Sequence, residues 1–120
     1  FNQMSAAKLA PPSLCAITPS VMAEDAFKNI MYKNGAFQLL LFTWAMGSAT
    51  GRTTHQGPMV DWQKAYSTVP LDKMDEAFGA YSPVFHEWLK HPVYDDYWKK
   101  FSIEAYHSDF DTNVYFMSGW

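Results

Sequence analysis

Two short apolar segments, about ninety residues apart, constrain the fold of this chain more than any other feature. The two segments are Leu14 to Thr18 and Asn113 to Met117. Each has the length and composition of a buried strand, and each is flanked by turn residues. Neighbouring parallel strands need a crossover connection, which is usually a single helix. The spacing therefore predicts two neighbouring parallel strands whose crossover has been replaced by a large insertion.

The insertion is predicted to be mainly helical. Ser20 begins a predicted helix that ends at Asn34-Gly35, residues favoured where a helix terminates in left-handed geometry. Ala36 to Met46 is predicted as a second helix, apolar nearly all round, so it must be covered on several sides.

Short helices are predicted for the remainder of the insertion. Their expected starting residues are Asp61, Pro70, Ser82-Pro83 and Pro92. Between the second helix and these, Gly47 to Pro58 is predicted to be a mobile, turn-rich loop. Ahead of the first strand, Phe1 to Lys8 is predicted to be helical and to end before Pro11-Pro12.

Composition excludes several classes of function. The 120 residues suffice for one domain, the net charge is −3, and no cluster of Lys and Arg occurs, so nucleic acid and anionic membrane are not expected partners. The single cysteine rules out an internal disulfide and any multi-cysteine metal site. We expect no metal and no cofactor, and the residues do not indicate a cellular compartment.

No residue in the chain is predicted to be catalytic. His86 and His91 are five residues apart, whereas a helical zinc motif needs histidines four apart. Cys15 is expected to be an inert residue buried in the first strand. No Gly-x-Ser-x-Gly frame, which would expose a nucleophile, surrounds Ser5, Ser48 or Ser118.

The Phe1 to Lys8 segment, rich in small residues, is followed by Pro11-Pro12 and by a predicted strand that leads to Pro19. Further along the chain come Tyr32 followed by Gly35-Ala36-Phe37, then Trp44, and the terminal Ser118-Gly119-Trp120. These motifs resemble those of the cocaine esterase and X-Pro dipeptidyl-peptidase-like group of α/β-hydrolases, in which a small-residue helix, a Pro-Pro pair and a short strand ending in proline follow the nucleophile.

This resemblance implies a helical cap domain of an α/β-hydrolase, with a flanking helix and two short core strands at its ends. Residues 1–19 would be core helix and strand, 20–112 the cap, and 113–120 the returning strand. The nucleophile would precede Phe1 in a Gly-x-Ser-Tyr-x-Gly motif, and a Tyr-Asp carrying the catalytic acid would follow Trp120.

The full-length parent would then be a serine hydrolase, an acyl esterase or dipeptidyl-peptidase-like enzyme, that cleaves esters or amides through an acyl-enzyme. This fragment alone would lack the catalytic triad. Its expected partners are a small-molecule ester or amide substrate and the remainder of the hydrolase chain.

The resemblance also implies which residues bind substrate. Met31, Tyr32, Phe37 and Trp44 would close over the acyl group, although Met31 replaces an aromatic residue of the family. Asp25 lies near the position where amino-ester-hydrolysing relatives bind a substrate ammonium group. The alternatives are ordinary core packing for the first four and a helix-start carboxylate for Asp25.

Two other functions remain open at this point. A non-catalytic helical module could bind a partner protein through its aromatic faces, since 18% of the residues are aromatic. A catalytically dead hydrolase relative would also fit, because no triad residue is present.

Overall fold

The computed structural model describes residues 2–50 and 61–119. Most of the predicted Gly47 to Pro58 loop therefore lies outside the described residues, as do Phe1 and Trp120. The described part of the chain is mainly helical with short strands, as predicted. It forms two compact units: Phe1–Lys33 with Tyr94–Trp120, and Asn34–Val93.

The described elements, in chain order within each type, are short. The helices are α1 (Asn2–Ala7), α2 (Leu40–Ala49), α3 (Trp62–Tyr66), α4 (Met74–Phe78), α5 (Pro83–Lys90) and α6 (Asp96–Lys99). The strands are β1 (Ala16–Ile17), β2 (Tyr32–Lys33), β3 (Ala36–Phe37) and β4 (Asn113–Val114). A π-helical turn covers Ala26–Met31, and 3-10 turns cover Leu71–Lys73 and Glu104–Asp109. No described helix has both the length and the apolar character that crossing a membrane requires.

The two predicted strands are neighbours and run parallel. Ala16 pairs with Asn113 and Ile17 with Val114. Beside this sheet, α1 contributes Met4 and Ala7 to a core shared with Ile17 and Ile103, all of them at most 5% exposed. The prediction of a parallel pair joined by a mainly helical connection is confirmed for the described residues.

The predicted helix from Ser20 to Asn34 is wrong at both ends. Ser20 is extended and bridges to Met117, so the helical segment begins only after Asp25. It ends at Met31, and Asn34 and Gly35 have positive φ values of 52° and 82° in a turn between β2 and β3. Left-handed geometry occurs where predicted, but in a turn between strands instead of a helix end.

The helix predicted from Ala36 to Met46 begins in the structure four residues later than predicted, at Leu40. Ala36 and Phe37 form β3, because the turn before them returns the chain in an extended conformation. α2 then runs from Leu40 to Ala49 and buries Phe42, Ala45 and Met46, while Leu40 and Trp44 are exposed.

The second unit is organised around Phe42, which is fully buried. Its ring lies 5.0–6.4 Å, centre to centre, from the rings of Trp62, Tyr66, Phe78 and Phe85. Edge-to-face pairs of this kind add stability beyond the apolar area they bury.

Local capping signals placed two of the later helices correctly. The Asp61 carboxylate accepts a hydrogen bond from Lys64 N, and the Ser82 hydroxyl accepts one from Phe85 N. The prediction that Pro92 opens a helix is wrong, because α6 begins at Asp96 with Asp95 as its cap.

Cys15 is exposed, which corrects the prediction of a buried strand residue. β1 contains only Ala16 and Ile17, so Cys15 precedes the strand. Its thiol donates a long hydrogen bond to the carbonyl oxygen of Ser13, with Sγ and O 3.8 Å apart.

Candidate functional site

The parallel pairing of the first unit continues beyond β1 and β4. Tyr115 N donates to Ile17 O at 3.0 Å, and Met117 N donates to Pro19 O at the same distance. Val21 N then donates back to Met117 O at 2.9 Å. The segments that follow these strands therefore leave the sheet side by side, at its carboxyl edge, where open α/β sheets bind their ligands.

A pocket of about 220 Å³ lies at this edge, and we call it the strand-end pocket. Its lining residues are Met4, Met22, Glu24, Ile103, His107 and Phe116. Met4 comes from the first turn of α1, and Met22 and Glu24 come from the segment after β1. The walls are mostly apolar, and the two ionisable side chains are Glu24 and His107.

Glu24 and His107 lie within hydrogen-bonding distance of each other at the rim of the strand-end pocket. Glu24 Oε1 and His107 Nε2 are 2.7 Å apart, and both side chains are about half exposed. The backbone holds the pair in place, because Ile103 N donates to Glu24 O at 3.0 Å. Glu24 is thus fixed at its main chain while its carboxylate meets solvent.

Asp25, the predicted ammonium-binding residue, caps the π-helical turn. Its Oδ1 accepts a hydrogen bond from Lys28 N at 2.8 Å, and its own N–H donates to Asn29 Oδ1 at 2.9 Å. The residue is 1% exposed, and its Oδ2 has no hydrogen-bond partner among the described residues. Capping accounts for Oδ1 of the Asp25 carboxylate. The role of Asp25 in binding a substrate ammonium group stays a prediction.

Lys28, which follows in the same turn, has its charge balanced. Its Nζ lies 2.6 Å from Glu104 Oε2, and this hydrogen bond raises the pKa of the lysine above its usual value. The pair is exposed on both sides, so its contribution to stability is small.

Met31 and Tyr32 are buried side by side at the end of the π-helical turn. The Tyr32 ring stacks on Phe27, with centroids 4.9 Å apart, and meets Trp98 edge-on at 6.3 Å. Burial raises the pKa of the Tyr32 hydroxyl above its usual value.

The remaining two predicted site residues belong to the second unit. Phe37 meets the buried Phe85 edge-on at 5.8 Å. Trp44 stacks almost parallel on Trp88, with centroids 5.8 Å apart and an angle of 15° between the rings. Trp44 is nevertheless 54% exposed, whereas Trp88 is 6% exposed. One indole face is therefore packed while much of Trp44 stays accessible.

None of the five predicted substrate-binding residues lines the strand-end pocket. Sequence reasoning missed its rim, since Glu24 and His107 are 83 positions apart and nothing in their spacing joins them. One signal was available for Glu24, which lies a few residues after a predicted strand, on the side of the sheet where ligands bind.

A pair formed by the buried Asp75 and the partly buried His86 in the second unit was also missed. Asp75 is fully buried and accepts hydrogen bonds from the N–H groups of Glu76 and Ser82, at 2.9 and 3.1 Å. Its Oδ2 also lies 2.8 Å from His86 Nε2. Although Ser, His and Asp meet here, Ser82 is 1% exposed and its hydroxyl accepts from Phe85 N, so this group fastens α4 to α5.

The described residues contain no group of three or more His, Cys, Asp or Glu side chains arranged to hold a metal ion.

Comparison with known proteins gives one finding. A family model described as X-Pro dipeptidyl-peptidase (S15 family) matches residues 1–120. No curated protein and no solved structure matches the chain.

Proposed function

The chain belongs to the X-Pro dipeptidyl-peptidase family (S15), and on that premise we propose that it is the cap segment of a serine hydrolase. With a flanking helix and two core strands, the segment would cover the active site of an α/β-hydrolase and shape its acyl pocket. The parent enzyme would cleave esters or amides, with the nucleophile and the catalytic acid supplied by residues outside this segment.

The observation that carries this proposal is the parallel pairing of β1 with β4 across a long, mainly helical connection. Parallel sheets are generally covered on both faces and contain several strands. A parallel pair this short suits two neighbouring strands of a larger sheet with a helical insertion between them. In an α/β-hydrolase such an insertion follows the sheet at its carboxyl edge, where the catalytic residues are found.

The chemical role proposed for the cap is to exclude water and to select the acyl group. Trp44 is the best supported of the predicted contact residues, because it is fixed by its stack on Trp88 and still 54% exposed. A rigid aromatic surface that solvent can reach is suited to packing against a flat acyl group. Substrate contacts by Met31, Tyr32, Phe37 and Asp25 are proposed on the family resemblance alone.

The test is a direct assay of the full-length protein. A fluorophosphonate probe should label a serine, and the protein should hydrolyse either a p-nitrophenyl acyl ester or an X-Pro anilide. The matched control replaces by alanine the serine of the expected Gly-x-Ser-Tyr-x-Gly motif, which should abolish labelling and turnover together.

Each result has a clear meaning. Turnover of the ester alone would identify an esterase, and turnover of the anilide would identify a peptidase. A protein that neither reacts with the probe nor hydrolyses either substrate would overturn the proposal and favour the catalytically dead relative or the helical interaction module.

A further inference from the structure

We propose that the strand-end pocket is a substrate subsite that receives one small apolar group, of about the size of a single ring or a branched aliphatic side chain. This inference rests on the proposed hydrolase function and names a second surface for it, distinct from the aromatic residues predicted for the acyl group. It makes Phe116, Met22 and Glu24 specificity-determining residues.

The position of the pocket supports a ligand. It opens at the carboxyl edge of a parallel strand pair, and it collects residues from the first turn of α1 and from the segments after both strands. Loops at this edge come together in space although they are distant in sequence, which is why open α/β sheets bind ligands there.

The size of the pocket limits the group that fits. A cavity of about 150 Å³ lined by aliphatic and aromatic side chains holds a benzene molecule. The strand-end pocket, at about 220 Å³, has room for one ring with a few further atoms. Sites that enclose a whole drug-sized ligand are larger, roughly 300–1,000 Å³. We therefore assign one group of the substrate to this pocket.

The lining divides into an apolar floor and a polar rim. Met4 and Ile103 are 5% and 1% exposed, so they form a buried floor, whereas Phe116 is 61% exposed and forms an outer wall. At the rim, the Glu24 carboxylate and the His107 ring are held 2.7 Å apart. Such a pair offers hydrogen bonds to polar atoms beside an inserted apolar group, which suits the amide or ester next to a small side chain.

Phe116 provides the decisive test because its neighbour in the chain is a matched control. Tyr115 and Phe116 are both exposed aromatic residues, at 67% and 61%, and of the two only Phe116 lines the pocket. Successive residues of an extended segment point to opposite faces, so the two substitutions remove similar rings from opposite sides.

The experiment compares Phe116→Ala, Phe116→Trp and Tyr115→Ala in the full-length protein. The measured quantity is kcat/KM for two esters that differ only in a methyl or a cyclohexyl substituent beside the scissile group. Phe116→Ala should move the cyclohexyl to methyl ratio at least fivefold in favour of cyclohexyl. Phe116→Trp should move it in the opposite direction, and Tyr115→Ala should leave it within twofold. Thermal unfolding of each variant verifies that it is folded.

Failure of this inference differs from failure of the proposed function. If the wild-type protein hydrolyses the esters but neither Phe116 variant changes the ratio, the pocket is no subsite. A Tyr115→Ala ratio that moves as far as that of Phe116→Ala overturns the assignment as well, because the effect then belongs to the strand and not to the pocket. Absence of all turnover in the wild type removes the hydrolase proposal, and the subsite with it.

Discussion

Single residues in this chain combine packing with accessibility, and Trp44 is the clearest case. Its ring lies on Trp88, yet more than half of it is exposed. Replacing a fully buried tryptophan by alanine lowers the free energy of unfolding by about 3–5 kcal/mol, so the same replacement at the half-exposed Trp44 should lower it by less.

We therefore predict that Trp44→Ala in the full-length protein changes specificity more than stability. The ratio of kcat/KM between aromatic and short aliphatic acyl esters should fall about tenfold, because substrates that fill the proposed acyl pocket lose their contact with the Trp44 ring. Trp62→Ala is the control, since Trp62 packs on Phe42 and Phe78 within the same unit. An unchanged ratio together with a large fall in Tm for Trp44→Ala would identify Trp44 as scaffold.

Tyr32 gives a prediction about pH. Burial favours its neutral phenol and raises its pKa. The unfolded chain therefore ionises this phenol first, so the stability that Tyr32 contributes is complete below a pH of about 10 and is lost as the pH rises further. The difference in absorbance titration between wild type and Tyr32→Phe should have its midpoint above pH ~10, and a midpoint at or below that value would contradict the burial.

At the scale of elements, the signals that succeeded are those that act within one turn. Asp61 and Ser82 cap their helices as predicted, because a cap depends only on the three residues that follow it. Ser20 failed as a cap because its backbone pairs with Met117, a partner 97 positions away that local pattern cannot reveal. The Asn34-Gly35 pair suits both a helix end and a turn between strands, and the structure uses the turn.

The same limit applied to the candidate site. Motifs in the sequence pointed to Trp44 and Asp25, whose positions in α2 and before the π-helical turn follow from nearby residues. The strand-end pocket, by contrast, joins α1, the segment after β1, a 3-10 turn and the segment after β4. The parallel pairing of β1 with β4 brings these segments together, so no short stretch of the sequence could have revealed the lining of this pocket.

The link between α4 and α5 supports a prediction at this scale. Asp75→Ala should destabilise the second unit by about 3 kcal/mol, because it leaves the buried Ser82 N–H, the partly buried Glu76 N–H and the His86 ring without their acceptor. Asp72→Ala, an exposed aspartate three residues earlier, should change the free energy of unfolding by less than about 0.5 kcal/mol. Chemical denaturation of both variants measures the difference, and equal effects would show that the Asp75 bonds contribute nothing specific.

At the scale of the whole molecule, the two compact units differ in how they use the chain. The second is continuous, Asn34–Val93, whereas the first is assembled from two distant segments. The parallel pair and its core belong to the first unit alone.

We predict that the first unit persists without the second. In the full-length protein, replacement of Asn34–Val93 by a short Gly/Ser linker should leave the amides of Tyr115 and Met117 protected from hydrogen exchange, because their acceptors are Ile17 and Pro19. A linker variant with Ile17→Asp, which places a charge in the core, is the control that should lose this protection. Rapid exchange of both amides in the linker variant itself would show that the first unit needs the second.

The register of β1 against β4 also dictates an order of events on the ribosome. Ala16 emerges long before its partner Asn113 has been translated. At about 5–20 residues per second, roughly a hundred codons separate the two by roughly 5–20 s. Throughout that interval the first strand lacks β4, whereas the continuous second unit is complete once Val93 has been translated, about twenty codons before Asn113. Rare codons placed between residues 94 and 112 would lengthen the wait, and the nascent chain would then depend on chaperones to shield Ile17 until translation catches up.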